Sequence, residues 1–131
     1  MPLTAVYAAL LALLFFVLSI RTIRLRRRHS VGVGYGGEAA LERAARAHAN
    51  CAEYAPIALL LIYFFETSGP NDAWIHGLGG LLVAGRVIHA YGVSQSNEDY
   101  RFRVTGMTMT FTVLLAASLG ILWQWAGAGL Q

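Results

Sequence analysis

Four long apolar segments, separated by short polar stretches, dominate the pattern of this chain. The first apolar segment, residues 2–20, contains no charged side chain. A helix needs about 20 apolar residues to cross a hydrocarbon core about 30 Å thick. Helices are therefore predicted over residues 2–26, 45–66, 73–94 and 104–126. The pattern predicts an all-α fold, an integral membrane four-helix bundle, in which residues 1–131 form one domain.

The composition agrees with membrane insertion. Hydrophobic residues make up 56% of the chain and charged residues 13%, whereas an average soluble domain is about one-quarter charged. This shortage of charge excludes an intrinsically disordered chain and opposes a soluble domain, whose surface must be covered by polar groups. Cys51 is the single cysteine, so an intrachain disulfide is excluded.

Clusters of arginine indicate how the helices are oriented. Arg101 and Arg103 follow the third apolar segment, and another cluster follows the first: Arg21, Arg24, Arg26, Arg27 and Arg28. A cleaved signal peptide carries its positive charge before the apolar run, so we interpret the first segment as an uncleaved helix. Because cytoplasmic loops are enriched in Arg and Lys, we expect both termini outside and the arginine-rich loops in the cytoplasm, in a bacterial inner membrane. Topology and attraction to anionic lipid explain these clusters, and no nucleic-acid partner is expected.

Ionisable side chains also occur inside the predicted second and third spans. Arg46, Asn50 and Glu53 follow an i, i+4, i+7 pattern, which places them on one helical face. The third span carries Arg86 and His89. An ionised group near the bilayer centre costs about 2.5–3.5 kcal/mol on insertion scales, so these side chains must face protein or water. We expect cationic groups from all four helices to converge on one cytoplasmic-side cavity, with Glu53 as its buried carboxylate.

An excess of guanidinium groups in one cavity predicts an anionic ligand. Guanidinium binds carboxylates in bidentate fashion and stays charged at any relevant pH. Glu53 would meet an ammonium group, so a small zwitterion with more than one carboxylate fits the expected charges. The alternative is a purely structural ion pair between Glu53 and either Arg86 or Arg46. No metal is expected, because the sequence lacks zinc and EF-hand ligand spacing.

The sequence RAHANCAEYAP at residues 46–56 resembles the signature of the MAPEG family, the membrane-associated proteins in eicosanoid and glutathione metabolism. The sequence GRVIH at residues 85–89 resembles the third-helix motif of that family. The resemblance, closest to bacterial-type microsomal glutathione transferases, implies a homotrimer that binds glutathione as co-substrate between subunits near the cytoplasmic face. The glutathione-binding residues that it implies are Arg21, Arg46, His48, Asn50, Glu53, Tyr54, Arg86 and His89.

Arg103 resembles the helix-four arginine that activates the thiol in the leukotriene-synthase branch, and the resemblance implies a catalytic role for it. An adjacent guanidinium favours the thiolate, which is the nucleophilic form of a thiol. The thiolate would attack a hydrophobic electrophile, or reduce a lipid hydroperoxide, that arrives from the bilayer, as in detoxification. Val93 stands where the eicosanoid enzymes have a tyrosine, and Val104 where the prostaglandin-synthase branch has a serine.

Both differences oppose an eicosanoid activity and leave a generic glutathione transferase or peroxidase as the first interpretation. The alternative is a non-catalytic member of the family, whose polar cluster serves assembly or ligand binding. A small transporter or channel subunit is a third interpretation. It is disfavoured because the chain has no pair of half-helices in matching positions.

Overall fold

The computed structural model describes residues 1–97 and 99–128, which form four α-helices. Their bounds are α1 (Thr4–His29), α2 (Ala39–Thr67), α3 (Asp72–Ser94) and α4 (Tyr100–Ala128). The prediction of an all-α, four-helix chain is confirmed. α2 and α4 begin before residues 45 and 104, where the helices were predicted to start. Alanine, arginine and glutamate are good helix formers and extend α2 beyond its apolar segment.

A carboxylate at the end of α2 fixes the start of α1. Glu66 accepts hydrogen bonds from the backbone N–H groups of Leu3 and Thr4, at 3.0 Å for Thr4, and from the Thr4 hydroxyl at 2.6 Å. The first N–H groups of a helix have no partner within the helix, and a negative charge beside them also interacts favourably with the helix dipole. The N-terminal end of α1 therefore lies beside the C-terminal end of α2.

Aliphatic and small side chains fill the space between the four helices. Leu11 of α1, Ala58 and Ile62 of α2, Leu82 of α3 and Val113 of α4 are each at most 2% exposed. In water, burying one of the larger apolar side chains stabilises a fold by about 1.5–3 kcal/mol. Within a bilayer, close packing of these residues is what holds the helices together.

α3 and α4 are in backbone contact at Gly85 and Gly106. A Cβ atom added at Gly106 would lie 2.6 Å from the carbonyl oxygen of Gly85 and 2.7 Å from the backbone nitrogen of His89. Real Cβ atoms do not approach so closely, so this backbone contact requires glycine at position 106. The contact holds His89 against the first turns of α4, which carry Arg103.

The outer surface of the bundle is strongly apolar. Within the described part of the chain, α1 and α4 are long and apolar enough to cross a membrane, and only 17% and 22% of their most apolar stretches are buried inside the subunit. Phe16 on α1, Phe64 on α2 and Leu115 on α4 are 62%, 49% and 62% exposed. Soluble monomers rarely expose contiguous apolar surface of this kind, so the surface fits a lipid environment.

Candidate functional site

A polar cleft opens between α2, α3 and α4, at the end of the bundle where α2 begins. It encloses about 320 Å³, and its lining residues are Ala39, Glu42, Arg43, Arg46, Asn50, His89, Val93 and Arg103. Three guanidinium groups thus face one carboxylate among the described lining residues. The helical spacing explains why, because Glu42, Arg46 and Asn50 recur every four residues along one face of α2.

A second groove continues from this cleft along α4, and it is called the apolar groove because Val104, Met107 and Phe111 make its lining more apolar than that of the cleft. The groove of about 480 Å³ shares Asn50, His89 and Arg103 with the cleft. It is completed by Tyr100, Val104, Met107, Thr108 and Phe111. A molecule in the polar cleft and an apolar molecule in the groove would therefore meet at the shared residues.

Arg86 lies behind the cleft and holds one of its residues. Its side chain is 2% exposed, and its Nη1 donates a hydrogen bond of 2.6 Å to Oδ1 of Asn50. Its Nη2 donates longer bonds, 3.4 Å to the Gly106 carbonyl and 3.3 Å to the Met107 sulfur. Because Oδ1 of Asn50 already accepts from Arg86, the amide NH₂ of Asn50 is the group left for a ligand.

The charge of Arg86 has no carboxylate partner among the described residues. Its guanidinium lies 5.7 Å from the ring centroid of Tyr54, and that ring contacts Phe111 edge-on at a centroid distance of 5.7 Å. The Nε atom of Arg86 is buried and donates to no group in the part of the chain that the structure describes. The structural ion pair between Glu53 and Arg86, which the sequence left open, is not formed here.

Four of the predicted site residues meet at the cleft, namely Arg46, Asn50, His89 and Arg103. His89 is 5% exposed and lines both the cleft and the groove. The guanidinium of Arg103 lies 5.9 Å from the ring centroid of Tyr100. Arg86 and Tyr54 form the layer directly behind these residues.

Three other predicted residues lie outside the cleft of a single subunit, namely Arg21, His48 and Glu53. Arg21 donates a hydrogen bond from Nη1 to the Ser94 hydroxyl. Nε2 of His48 lies 3.0 Å from the hydroxyl oxygen of Ser19, and the imidazole stacks on Phe15 at 4.5 Å. The expectation that all four helices supply cations to one cavity is therefore wrong for one subunit, since only α2 and α4 place guanidinium groups in the cleft.

The prediction of a buried Glu53 is also wrong for one subunit, because this side chain is exposed. Glu53 follows Asn50 by three residues, which turns it about 60° away on the helix, toward the outer face of α2. The carboxylate that lines the cleft is instead Glu42, beside Arg43. Neither residue was predicted from the sequence, although their spacing of four and three residues from Arg46 places them on its face of the helix.

The described residues contain no cluster of three or more His, Cys, Asp or Glu side chains that would bind a metal ion. A cation-rich cleft of this kind binds anionic groups such as carboxylates. The adjoining groove can hold an apolar group against Val104, Met107 and Phe111. The arrangement can therefore hold a polar anion and an apolar molecule side by side, with Arg103 at their junction.

Comparison with known proteins agrees with the motifs on α2 and α3. The model of the MAPEG family matches residues 4–123. The chain is similar to inner membrane protein YecN of Escherichia coli strain K12, with 40% identity over 120 residues, which is 92% of this chain and 90% of the relative. YecN of E. coli O6:H1 strain CFT073 shows the same identity and coverage. This is a membrane protein, and it belongs to the MAPEG family.

Proposed function

We propose that this protein is a membrane-bound glutathione transferase or peroxidase, which uses a glutathione thiolate to conjugate or reduce hydrophobic electrophiles. The observation that carries the proposal is the continuity of a cation-rich cleft with an apolar groove through Asn50, His89 and Arg103. The family includes proteins of glutathione metabolism, and the chemistry of the cleft suits that molecule.

Glutathione offers two carboxylates, one ammonium and one thiol. Arg43 and Arg46 bind the carboxylates in this proposal, and Glu42 lies in the same cleft to meet the ammonium. The NH₂ group of Asn50 donates a further hydrogen bond, because Arg86 holds the Asn50 oxygen on the other side. The charges of the cleft thus complement a dianionic zwitterion better than a neutral ligand.

Arg103 stabilises the thiolate at the junction of the cleft and the groove. A thiol with a pKa of about 8.5 is mostly protonated at neutral pH, and a neighbouring guanidinium shifts the balance toward the thiolate. In conjugation, the sulfur forms a bond to the electrophilic carbon, and the leaving group departs with its electron pair. In peroxide reduction, the sulfur takes the terminal oxygen to give a sulfenic acid and an alcohol. A second glutathione then yields the disulfide and water.

Glu53 supports a trimer in which neighbouring subunits complete the site. An exposed carboxylate within a predicted span is costly against lipid, so contact with a neighbouring subunit would stabilise it. In the proposed homotrimer, Arg21, His48 and Glu53 reach the cleft of the adjacent copy, which gives these three predicted residues their role. We propose that both termini lie outside and that the arginine-rich loops lie in the cytoplasm, which places the cleft at the cytoplasmic face.

A non-catalytic role is the second candidate, and Val93 favours it. Val93 lines the cleft, and no residue that the structure places around the cleft carries a hydroxyl group. A neighbouring hydroxyl would donate a hydrogen bond to the thiolate. In this second candidate the Tyr100 and Thr108 hydroxyls of the adjoining groove do not reach the sulfur, and the cleft binds glutathione with its thiol largely protonated.

The test is glutathione-dependent turnover of a chromogenic aryl halide by the purified protein in detergent. We expect turnover in the wild type and its loss in Arg103→Ala, with glutathione binding retained. The matched control is Arg101→Ala, which removes an exposed arginine two positions away that does not line the cleft, and which keeps wild-type turnover. Binding without turnover across a broad panel of electrophiles would support the non-catalytic role instead.

A further inference from the structure

A groove on the arginine-rich end of α1 combines apolar and cationic side chains. It encloses about 530 Å³ and is lined by α1 residues between Phe16 and Leu25, with Ala40 of α2 at its edge. Phe16, Ile20 and Arg24 recur every four residues, so one helical face changes from apolar to charged along its length. Phe16 and Val17 are 62% and 60% exposed, which leaves the apolar part of the groove open to its surroundings.

Arg21 and Arg26, the α1 arginines on either side of Arg24, are engaged by the protein, and Arg24 is not. Arg26 donates from Nη1 to the backbone carbonyls of Gly32 at 3.2 Å and Gly34 at 3.0 Å, which folds the glycine-rich loop onto the helix. Arg21 donates to Ser94. Arg24 is exposed and has neither a hydrogen bond nor an ion pair within the described residues. Its charge is therefore directed outward at the mouth of the groove.

We propose that this groove binds one anionic phospholipid, with Arg24 contacting the phosphate and an acyl chain lying along Phe16, Val17 and Ile20. Arg24 follows Phe16 by eight positions, which is about 12 Å along the helix, close to half of a hydrocarbon core about 30 Å thick. The guanidinium thus lies at headgroup depth when the aromatic ring lies among acyl chains. An occupant needs both an anionic group and an apolar chain, and an anionic membrane lipid has both.

Within one subunit, the groove is separate from the proposed glutathione cleft. The two share no lining residue. Ser19, which contacts His48 of α2, lies five residues before Arg24, and the two side chains therefore point about 140° apart around α1. Arg21 lines the groove and also belongs to the glutathione residues implied by the family, so Arg24 is the residue to test. The lipid proposal does not depend on any enzymatic activity.

The experiment is native mass spectrometry of the detergent-purified protein with an equal mixture of phosphatidylglycerol and phosphatidylcholine of identical chains. We expect preferential retention of phosphatidylglycerol by the wild type. Arg24→Ala should lower this retention about fivefold, the effect of one arginine near an anionic membrane surface. Arg28→Ala is the matched control, because it removes the same charge from an exposed position of α1 outside the groove, and it should retain the wild-type preference.

A second pair of variants tests the acyl part of the groove without changing any charge. Val17→Trp fills the groove and should lower phosphatidylglycerol retention. Leu13→Trp places the same side chain at another exposed position of α1 outside the groove and should not. Circular dichroism checks that each variant remains helical. Equal losses in Arg24→Ala and Arg28→Ala, equal retention of both lipids, unchanged retention in Val17→Trp, or displacement of the lipid by millimolar inorganic phosphate would each overturn the proposal.

Discussion

The close contact between α3 and α4 makes Gly106→Ala a demanding test of how the cleft is built. The new Cβ would lie 2.6 Å from the Gly85 carbonyl oxygen and 2.7 Å from the His89 backbone nitrogen. Both neighbours are backbone atoms, so no rotation of a side chain relieves the contact and the helices must separate. The separation would also lengthen the 3.4 Å hydrogen bond from Arg86 to the Gly106 carbonyl.

The expected size follows from two opposing effects. Forcing an extra methyl group into a packed contact costs about 1–3 kcal/mol, and a backbone obstacle favours the upper part of that range. Replacing glycine by alanine inside a helix stabilises the helix by about 0.5–1 kcal/mol. We therefore expect a net loss of about 1–2 kcal/mol in the free energy of unfolding. A weaker glutathione affinity should accompany it, because His89 and Arg103 move apart.

Reversible unfolding in mixed micelles, followed by circular dichroism, measures the free-energy change. The matched control is Gly80→Ala on α3, where an added Cβ meets no atom within 4 Å and only the gain in helix propensity remains. The two substitutions should therefore change stability in opposite directions. Equal stability of the two variants, or a more stable Gly106→Ala protein, would refute the proposed contact between α3 and α4.

Three further substitutions test other parts of the structure. Glu66→Ala removes the acceptor for the backbone N–H groups of Leu3 and Thr4 and should lower the free energy of unfolding by about 0.5–2 kcal/mol, measured in the same micelles; no loss would mean that Glu66 does not cap α1. Glu53→Ala should lower the trimer fraction in light scattering and weaken glutathione binding by calorimetry, and wild-type values for both would contradict the shared site. Arg86→Ala removes the hydrogen bond to Oδ1 of Asn50; it should lower the trimer fraction and the glutathione affinity, and the free energy of unfolding by about 1.5–3 kcal/mol, the value of a hydrogen bond to a charged group, and unchanged glutathione affinity would show that Arg86 does not position Asn50.

The sequence predicts the helices well because each contains a long apolar run. It predicts the starts of α2 and α4 less well, because the predicted spans were drawn from the apolar runs. Polar residues such as Glu42 and Arg43 extend α2 before its apolar run, so they were left outside the predicted span. A helix continues as long as its backbone hydrogen bonds and propensities allow, whether or not it is still inside the hydrocarbon layer.

The site was predicted in part, and the reasons are geometric. Spacing along one helix placed Arg46 and Asn50 on a common face, and both line the cleft. Spacing says nothing about which neighbouring helix a side chain meets, so it could not show that His48 turns to Ser19 of α1. The burial of Arg86 behind Asn50 likewise depends on the approach of α4 at Gly106, which only the three-dimensional packing reveals.

The most direct test of the account is a glutathione binding isotherm by calorimetry on the detergent-solubilised protein. We predict saturable binding that weakens about 10-fold to 100-fold in Arg46→Ala, the loss of a charge-assisted hydrogen bond, and that is unchanged in Arg28→Ala. Absence of saturable binding to the wild type, or equal affinity of the wild type and Arg46→Ala, would contradict the assignment of this cleft to glutathione.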